Sequence, residues 1–285
     1  ACSGARRRAG RGPHDVRASV TRARYAGPCL GCAAGIAGSF LAVSRLPLDW
    51  LRFSVDPAQP LWLLLVYLLA SLPFLASGLA ACRAYADRPE ASGAVAAASL
   101  AGSAAGAVAP AALLPVLGEG ATVAAAALVA LLPCLLLPFL PRADRADARR
   151  RTAAAAAAVV LGAAIAAAMA WRDGAILAVR PSPYKSLPQM LQVPGARVTA
   201  ASTGLGGRLE TVESPALRFA PGLSLSWQGT LPGQTGLYLD GDALTVINDL
   251  AGTGVAFARS THAFAGYLLA APAERCLVVQ AGGGL

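Results

Sequence analysis

Charge is what this 285-residue sequence has least of: 14% of its residues are Asp, Glu, Lys or Arg, against 56% apolar. A soluble domain carries about a quarter charged residues, so the bulk of this chain belongs to the membrane class. Lysine is nearly missing, with Lys185 the single example and arginine supplying every other cation. Histidine is limited to His14 and His262, too few and too far apart for a metal site, and none is expected. Of six cysteines only Cys29 and Cys32 form a C-x-x-C, and no second Cys/His pair accompanies it. Cysteines within apolar runs are read as small hydrophobes.

What the chain does have is apolar runs bordered by arginine. Lys plus Arg exceed Asp plus Glu by 24 to 15. These cations cluster beside apolar stretches instead of lining one polar face, which excludes a nucleic-acid partner and favours membrane orientation. Residues 1–26 hold seven arginines against Asp15 and read as a basic flank. Five apolar stretches follow, at 26–43, 60–82, 93–117, 121–140 and 153–171, each near the roughly 20 residues that cross a hydrocarbon core. Gly102 and Gly106, four apart, predict a face on which a neighbouring helix packs closely. No charge lies within the core of any stretch, so a transporter's ion relay has no candidate residues.

With the N-terminus inside, five crossings put fourteen arginines on inner segments and only Arg45 and Arg52 on outer loops, but they also put the C-terminal part outside. A nucleotide-using domain belongs in the cytosol. The expectation is therefore that the alanine-rich last stretch does not cross and lies at the interface or within the protein.

After Trp171 the composition changes. Gly, Pro, Ser and Thr punctuate short β-type runs at 197–201, 208–212, 223–227, 237–240 and 244–247, with Gly204, Gly206 and Gly207 as a hairpin turn between the first two. A helix is predicted at about 261–269. Cys276 to Val279 then reads as a buried parallel strand that breaks into Gly282, Gly283 and Gly284, where bare backbone can approach a nucleotide. The chain stops inside that turn, and it is expected to be a piece of a longer protein.

These segments resemble the spermidine synthase family. They are Ser182-Pro183-Tyr184-Lys185-Ser186-Leu187, then Gly207-Arg208-Leu209, Leu237-Tyr238-Leu239-Asp240-Gly241-Asp242, Tyr267, and L-V-V-Q-A-G-G-G. The likeness is closer to its membrane-fused branch, through Leu46-Pro47-Leu48-Asp49, Leu72-Pro73-Phe74 with Gly78-Leu79, and the Ala220 to Ser224 segment A-P-G-L-S. The resemblance spans about 45–285. It implies a donor site for S-adenosylmethionine or its decarboxylated form, built from Gly282, Gly283, Gly284, Tyr184, Lys185, Asp240 and Tyr267. The catalytic base is expected downstream of Leu285. Lys185 stands where the family has Gln, Gly283 where it has Asp, Leu244 where it has Gln and Ser99 where a span has Asp. Each change removes a polar contact that a polyamine or donor ammonium needs.

The expected architecture is a multi-span α-helical membrane domain of four or five spans (27–172), after the flank of 1–26. A small antiparallel β subdomain (173–250) and the start of a Rossmann-like α/β methyltransferase-type domain (251–285) follow. The expected function is a membrane-anchored transferase of a bacterial inner membrane, its synthase-like domain cytosolic, acting on a small-molecule amine or lipophilic acceptor. Its partners are the lipid bilayer and that acceptor, with self-association left open. The alternative is a non-enzymatic membrane protein in which the synthase-like domain serves binding or scaffolding.

Overall fold

The computed structural model describes residues 25–139, 145–170 and 176–269. The expected glycine motif of 275–285, most of the basic flank and Cys276 lie outside the described residues. The chain forms two compact units that meet at Arg180 and Pro181.

The first unit is helical: α1 (Ala26–Val43), α2 (Ala58–Asp87), α3 (Ser92–Leu136) and α4 (Arg145–Ala170). Among the described residues, four helices are long and apolar enough to cross a membrane, which marks the protein as membrane-embedded. Helix α3 spans 45 residues, roughly 68 Å at 1.5 Å per residue and over twice a hydrocarbon core. It is not straight. Gly118 sits at φ 75°, ψ 177°, outside the helical region, a conformation open to glycine.

The contacts fix what happens at that break. Tyr25, just ahead of α1, donates from Oη to Asp87 at 2.9 Å, so the start of α1 and the end of α2 share one end of the bundle. Cys134 lies there too, its Sγ 3.6 Å from the Ala26 carbonyl. At the other end, Leu177 is buried with Ala124 and Ile165, and Arg45 donates to the Ile176 carbonyl at 3.1 Å. Gly120 is pressed against Leu177 at that same end. The first arm of α3, 92–117, therefore passes from the Asp87 end to the Leu177 end, and the second, 119–136, returns. The two separate runs read from the sequence at 93–117 and 121–140 are these arms.

Small residues set the packing. A Cβ on Gly35 would stand 3.0 Å from the Pro73 nitrogen, and one on Gly31 would touch Ala76, so α1 and α2 approach backbone to backbone. Ala124, Ala127, Ala154 and Ala158 fill the junction of α1, α4 and the second arm of α3. One expectation is corrected. Gly102 and Gly106 have nothing within 4 Å, because the first arm is exposed along that face. The alanine-rich run is a 26-residue helix, with Ala154 packed near Cys134 and Ile165 near Ala124. It packs within the bundle and is long and apolar enough to cross a membrane.

The second unit is a four-stranded antiparallel meander, β1 (Arg197–Gly204), β2 (Gly207–Glu213), β3 (Gly233–Leu239) and β4 (Ala243–Asp249), in the order of the sequence. The pairing of Gly204 with Gly207 makes a two-residue hairpin turn as read. Helix α5 (Ser186–Met190) covers one face, where Leu187 and Met190 pack on Val212 and Tyr238. The run at 223–227 is not a strand. It makes only a single bridge, Leu223 to Thr261, and Leu225 is fully exposed; Gly222, at φ 72°, turns the chain just before it. Past β4 come α6 (Leu250–Thr253), 3-10 turns at Ala256–Ser260 and His262–Phe264, and α7 (Ala265–Leu269). The last two occupy the predicted helix.

Gly35→Leu is expected to drive α1 from α2 and destabilise the bundle by about 2 kcal/mol, the usual cost of overpacking. Gly102→Leu, with open space around it, is expected to stay within about 0.5 kcal/mol of wild type. Thermal unfolding in detergent compares them, and equal midpoints would refute the close approach.

Candidate functional site

The turn joining β3 to β4 is Asp240-Gly241-Asp242, and it organises the candidate site. Leu239 pairs with Ala243, so three residues close the hairpin. Asp240 takes φ 52° and Gly241 φ 76°; a left-handed pair suits Asp followed by Gly, since a short polar side chain tolerates the first position and glycine the second. The Asp240 carboxylate turns inward. Its Oδ1 accepts the Arg208 N–H at 2.8 Å, while the Asp240 N–H donates to the Arg208 carbonyl at 2.7 Å. Asp240 thus completes the ladder at the start of β2. Gly207 has to be glycine there: φ is 123°, and a Cβ would lie 2.7 Å from Asp240 Oδ1.

The Ser-Pro-Tyr-Lys segment is fastened to the same turn. Lys185 Nζ donates to the Asp240 carbonyl at 2.5 Å, the Leu187 N–H donates to the Gly241 carbonyl at 3.0 Å, and Ser186 Oγ donates to the Asp242 carbonyl at 2.6 Å. Asp242 Oδ1 stands 3.0 Å from Ser186 Oγ. A Cβ on Gly241 would come within 3.2 Å of Pro181, so its bareness admits the segment. Tyr184 is half exposed beside it, its carbonyl accepting from Gln189 Nε2 at 3.1 Å.

The structure therefore brings Tyr184, Lys185 and Asp240 together. Both turn carboxylates accept from protein donors, Asp240 from the Arg208 N–H and Asp242 from the Ser186 N–H at 3.3 Å. Each carboxylate is engaged through its Oδ1, and the Lys185 ammonium keeps donor capacity for an anionic or carbonyl group. Behind the turn, Tyr238 is fully buried with no partner for its hydroxyl. Burial pushes its pKa up, so the hydroxyl stays a protonated donor.

Tyr267 is not with them. It lies on α7, its ring 6.1 Å from that of Phe264 and inclined by 27°, at a cavity that also meets Val246 and Asn248 of β4. The Ala220 to Ser224 motif borders this second place. The Ser224 N–H donates to the Ser260 carbonyl at 2.8 Å, and the His262 N–H to the Gly222 carbonyl at 3.0 Å. The His262 imidazole fills the space where Gly222 lacks a side chain. Sequence reading missed Asn248 and Gln234, which carry no motif. Their only signal was a polar residue on the covered face of two adjacent strands. Gly282, Gly283 and Gly284 lie outside the described residues, and among those residues no three His, Cys, Asp or Glu side chains converge on a metal position.

No family profile, curated protein or solved structure matches the chain.

Asp240→Asn keeps both the turn preference and an acceptor for the Arg208 N–H, and is expected to hold stability within about 0.5 kcal/mol. Asp240→Ala loses both and is expected to cost roughly 2 kcal/mol and expose the β1–β2 hairpin to proteolysis. Equal protease resistance of the two variants would show that the carboxylate does not hold the turn.

Proposed function

We propose that the protein is a membrane-anchored, spermidine synthase-like transferase that uses S-adenosylmethionine or its decarboxylated form to move a methyl or aminopropyl group onto an amine or a membrane-delivered acceptor. The observation that carries this reading is the fastening of residues 182–187 to the turn at 240–242. These are the two soluble segments on which the resemblance chiefly rests, and they meet although 55 residues separate Lys185 from Asp240. Here Tyr184 and the unspent donors of Lys185 border the donor molecule. By the resemblance, Gly282, Gly283 and Gly284 admit its methionine-bearing end. Such a reaction asks chiefly for alignment of a nucleophile with the sulfonium carbon and exclusion of water, so proximity supplies much of the rate. The spans either tether the domain in a bacterial inner membrane or deliver a lipophilic acceptor.

A second reading, a binding or scaffolding module without turnover, is favoured by two observations. Both carboxylates of the turn accept hydrogen bonds from the protein itself. The chain also leaves the helical unit beyond Leu177, at the end that holds Arg45. The opposite end adjoins Arg83, Arg88 and Arg149 to Arg151, and a cytosolic arginine-rich end puts the second unit outside, away from an intracellular donor.

Two measurements separate these readings. Calorimetric titration of the protein in detergent with S-adenosylmethionine, its decarboxylated form and methylthioadenosine is expected to show micromolar binding of one donor; no heat with any of them removes the transferase. Reporters fused after Arg180 give the side: the transferase requires a fluorescent cytosolic reporter there, and an active alkaline phosphatase would leave the module.

A further inference from the structure

The cavity beside Tyr267, of about 430 Å³, is lined by uncharged residues only. Val246 and Phe257, both buried, form its floor, with Phe219 as a further wall, and Phe264 and Tyr267 stand at its rim. Against these apolar walls it offers two defined polar groups. The first is the Asn248 amide. Gln234 is pinned by Phe219, whose N–H donates to Gln234 Oε1 at 2.7 Å and whose carbonyl accepts from Gln234 Nε2 at 2.8 Å. That pairing fixes which end of Gln234 is nitrogen, and the same Nε2 donates to Asn248 Oδ1 at 2.9 Å. Asn248 Nδ2 is thereby the other end of its amide, and it is buried with no acceptor. Native structures rarely leave such a donor unmet, and each instance calls for a missing partner. The second group is Thr261 Oγ1, which spends its proton on the Ala258 carbonyl at 2.7 Å and so presents only lone pairs to the cavity.

We infer that this cavity is a binding site for a small, uncharged, planar aromatic ligand that carries a hydrogen-bond acceptor for Asn248 Nδ2 and an N–H donor for Thr261 Oγ1, as aromatic carboxamides and amino-substituted heterocycles do. A planar ring matches the flat faces of Phe264 and Tyr267. A polyamine is excluded from it, because no lining residue is acidic and a buried ammonium needs a carboxylate. The site stands apart from the turn at Asp240: it uses the opposite end of the β3–β4 hairpin, and it holds whether or not the protein transfers a group.

The test is ligand-observed fluorine NMR on the full chain in lipid nanodiscs, with 4-fluorobenzamide as probe and 4-fluorotoluene as the same ring without acceptor or N–H. Wild type is expected to bind 4-fluorobenzamide at least tenfold more tightly than Asn248→Asp, which keeps the acceptor facing Gln234 and removes the donor. The 4-fluorotoluene signal is expected to change less than threefold between the two. Asn248→Ser removes the amide without adding charge and gives the same reading if the aspartate variant unfolds. Tyr267→Ala, at an exposed position, is expected to weaken both probes. Equal affinity of wild type and Asn248 variants for 4-fluorobenzamide, or no binding to wild type beyond that to empty nanodiscs, overturns the site.

Discussion

Helices surrounded by hydrocarbon gain little from hiding apolar surface against one another, because lipid tails are as apolar as leucine. Their association has to come from close atomic contact, and in this bundle that contact is made by missing side chains. Gly35 lets the backbone of α1 reach Pro73 in the middle of α2, and Gly120 lets the second arm of α3 reach Leu177. Everything else in the helical unit follows from those approaches. They set α1 antiparallel to α2, and they put the break at Gly118 at the end where the chain must reverse. They also leave the alanines of α3 and α4 to fill the space between. The interior of this unit accordingly sets Ala and Cys beside the larger Leu131, Leu137, Ile165 and Leu177.

The second unit depends on a different device. Its sheet is small and one face carries exposed Leu209, Leu239 and Ile247, so local fastening has to do what a large core does elsewhere. The Asp240-Gly241-Asp242 turn holds the start of β2 through the Asp240 carboxylate and the loop ahead of α5 through three backbone carbonyls. One turn thereby ties together segments that begin at residues 181 and 207. The same economy limits the chemistry available there. A carboxylate that accepts a backbone N–H and a lysine bonded to a carbonyl are both held in one orientation, although their charges remain. Buried polar groups without a hydrogen-bond partner include Asn248 Nδ2, at the far end of the β3–β4 hairpin, and the Tyr238 hydroxyl, behind the turn.

Much of this was legible in the sequence because membrane helices and hairpins announce themselves through composition and period. The run 26–43 is α1 to the residue, and 197–201 and 208–212 lie inside paired strands. Glycine spacing misled where it stood alone: Gly102 and Gly106 have the spacing of a packing motif but face open space, while the contact falls at Gly35, whose importance comes from Pro73 across from it. The run 223–227 alternates like a strand, but it makes only the single bridge from Leu223 to Thr261, and alternation cannot supply a partner strand.

The sequence by itself determined the membrane-embedded half, the change of character after Trp171, and the turn chemistry of Asp240 and Gly241, because each rests on local composition or on the dihedral preferences of one or two residues. Only the tertiary structure decided that α3 doubles back at Gly118, that Lys185 and Asp240 hold each other instead of facing outward together, and that Tyr267 belongs with Asn248 and Phe264. Those outcomes depend on which distant backbone groups come within hydrogen-bonding distance, and that distance is set by packing between elements far apart in the chain.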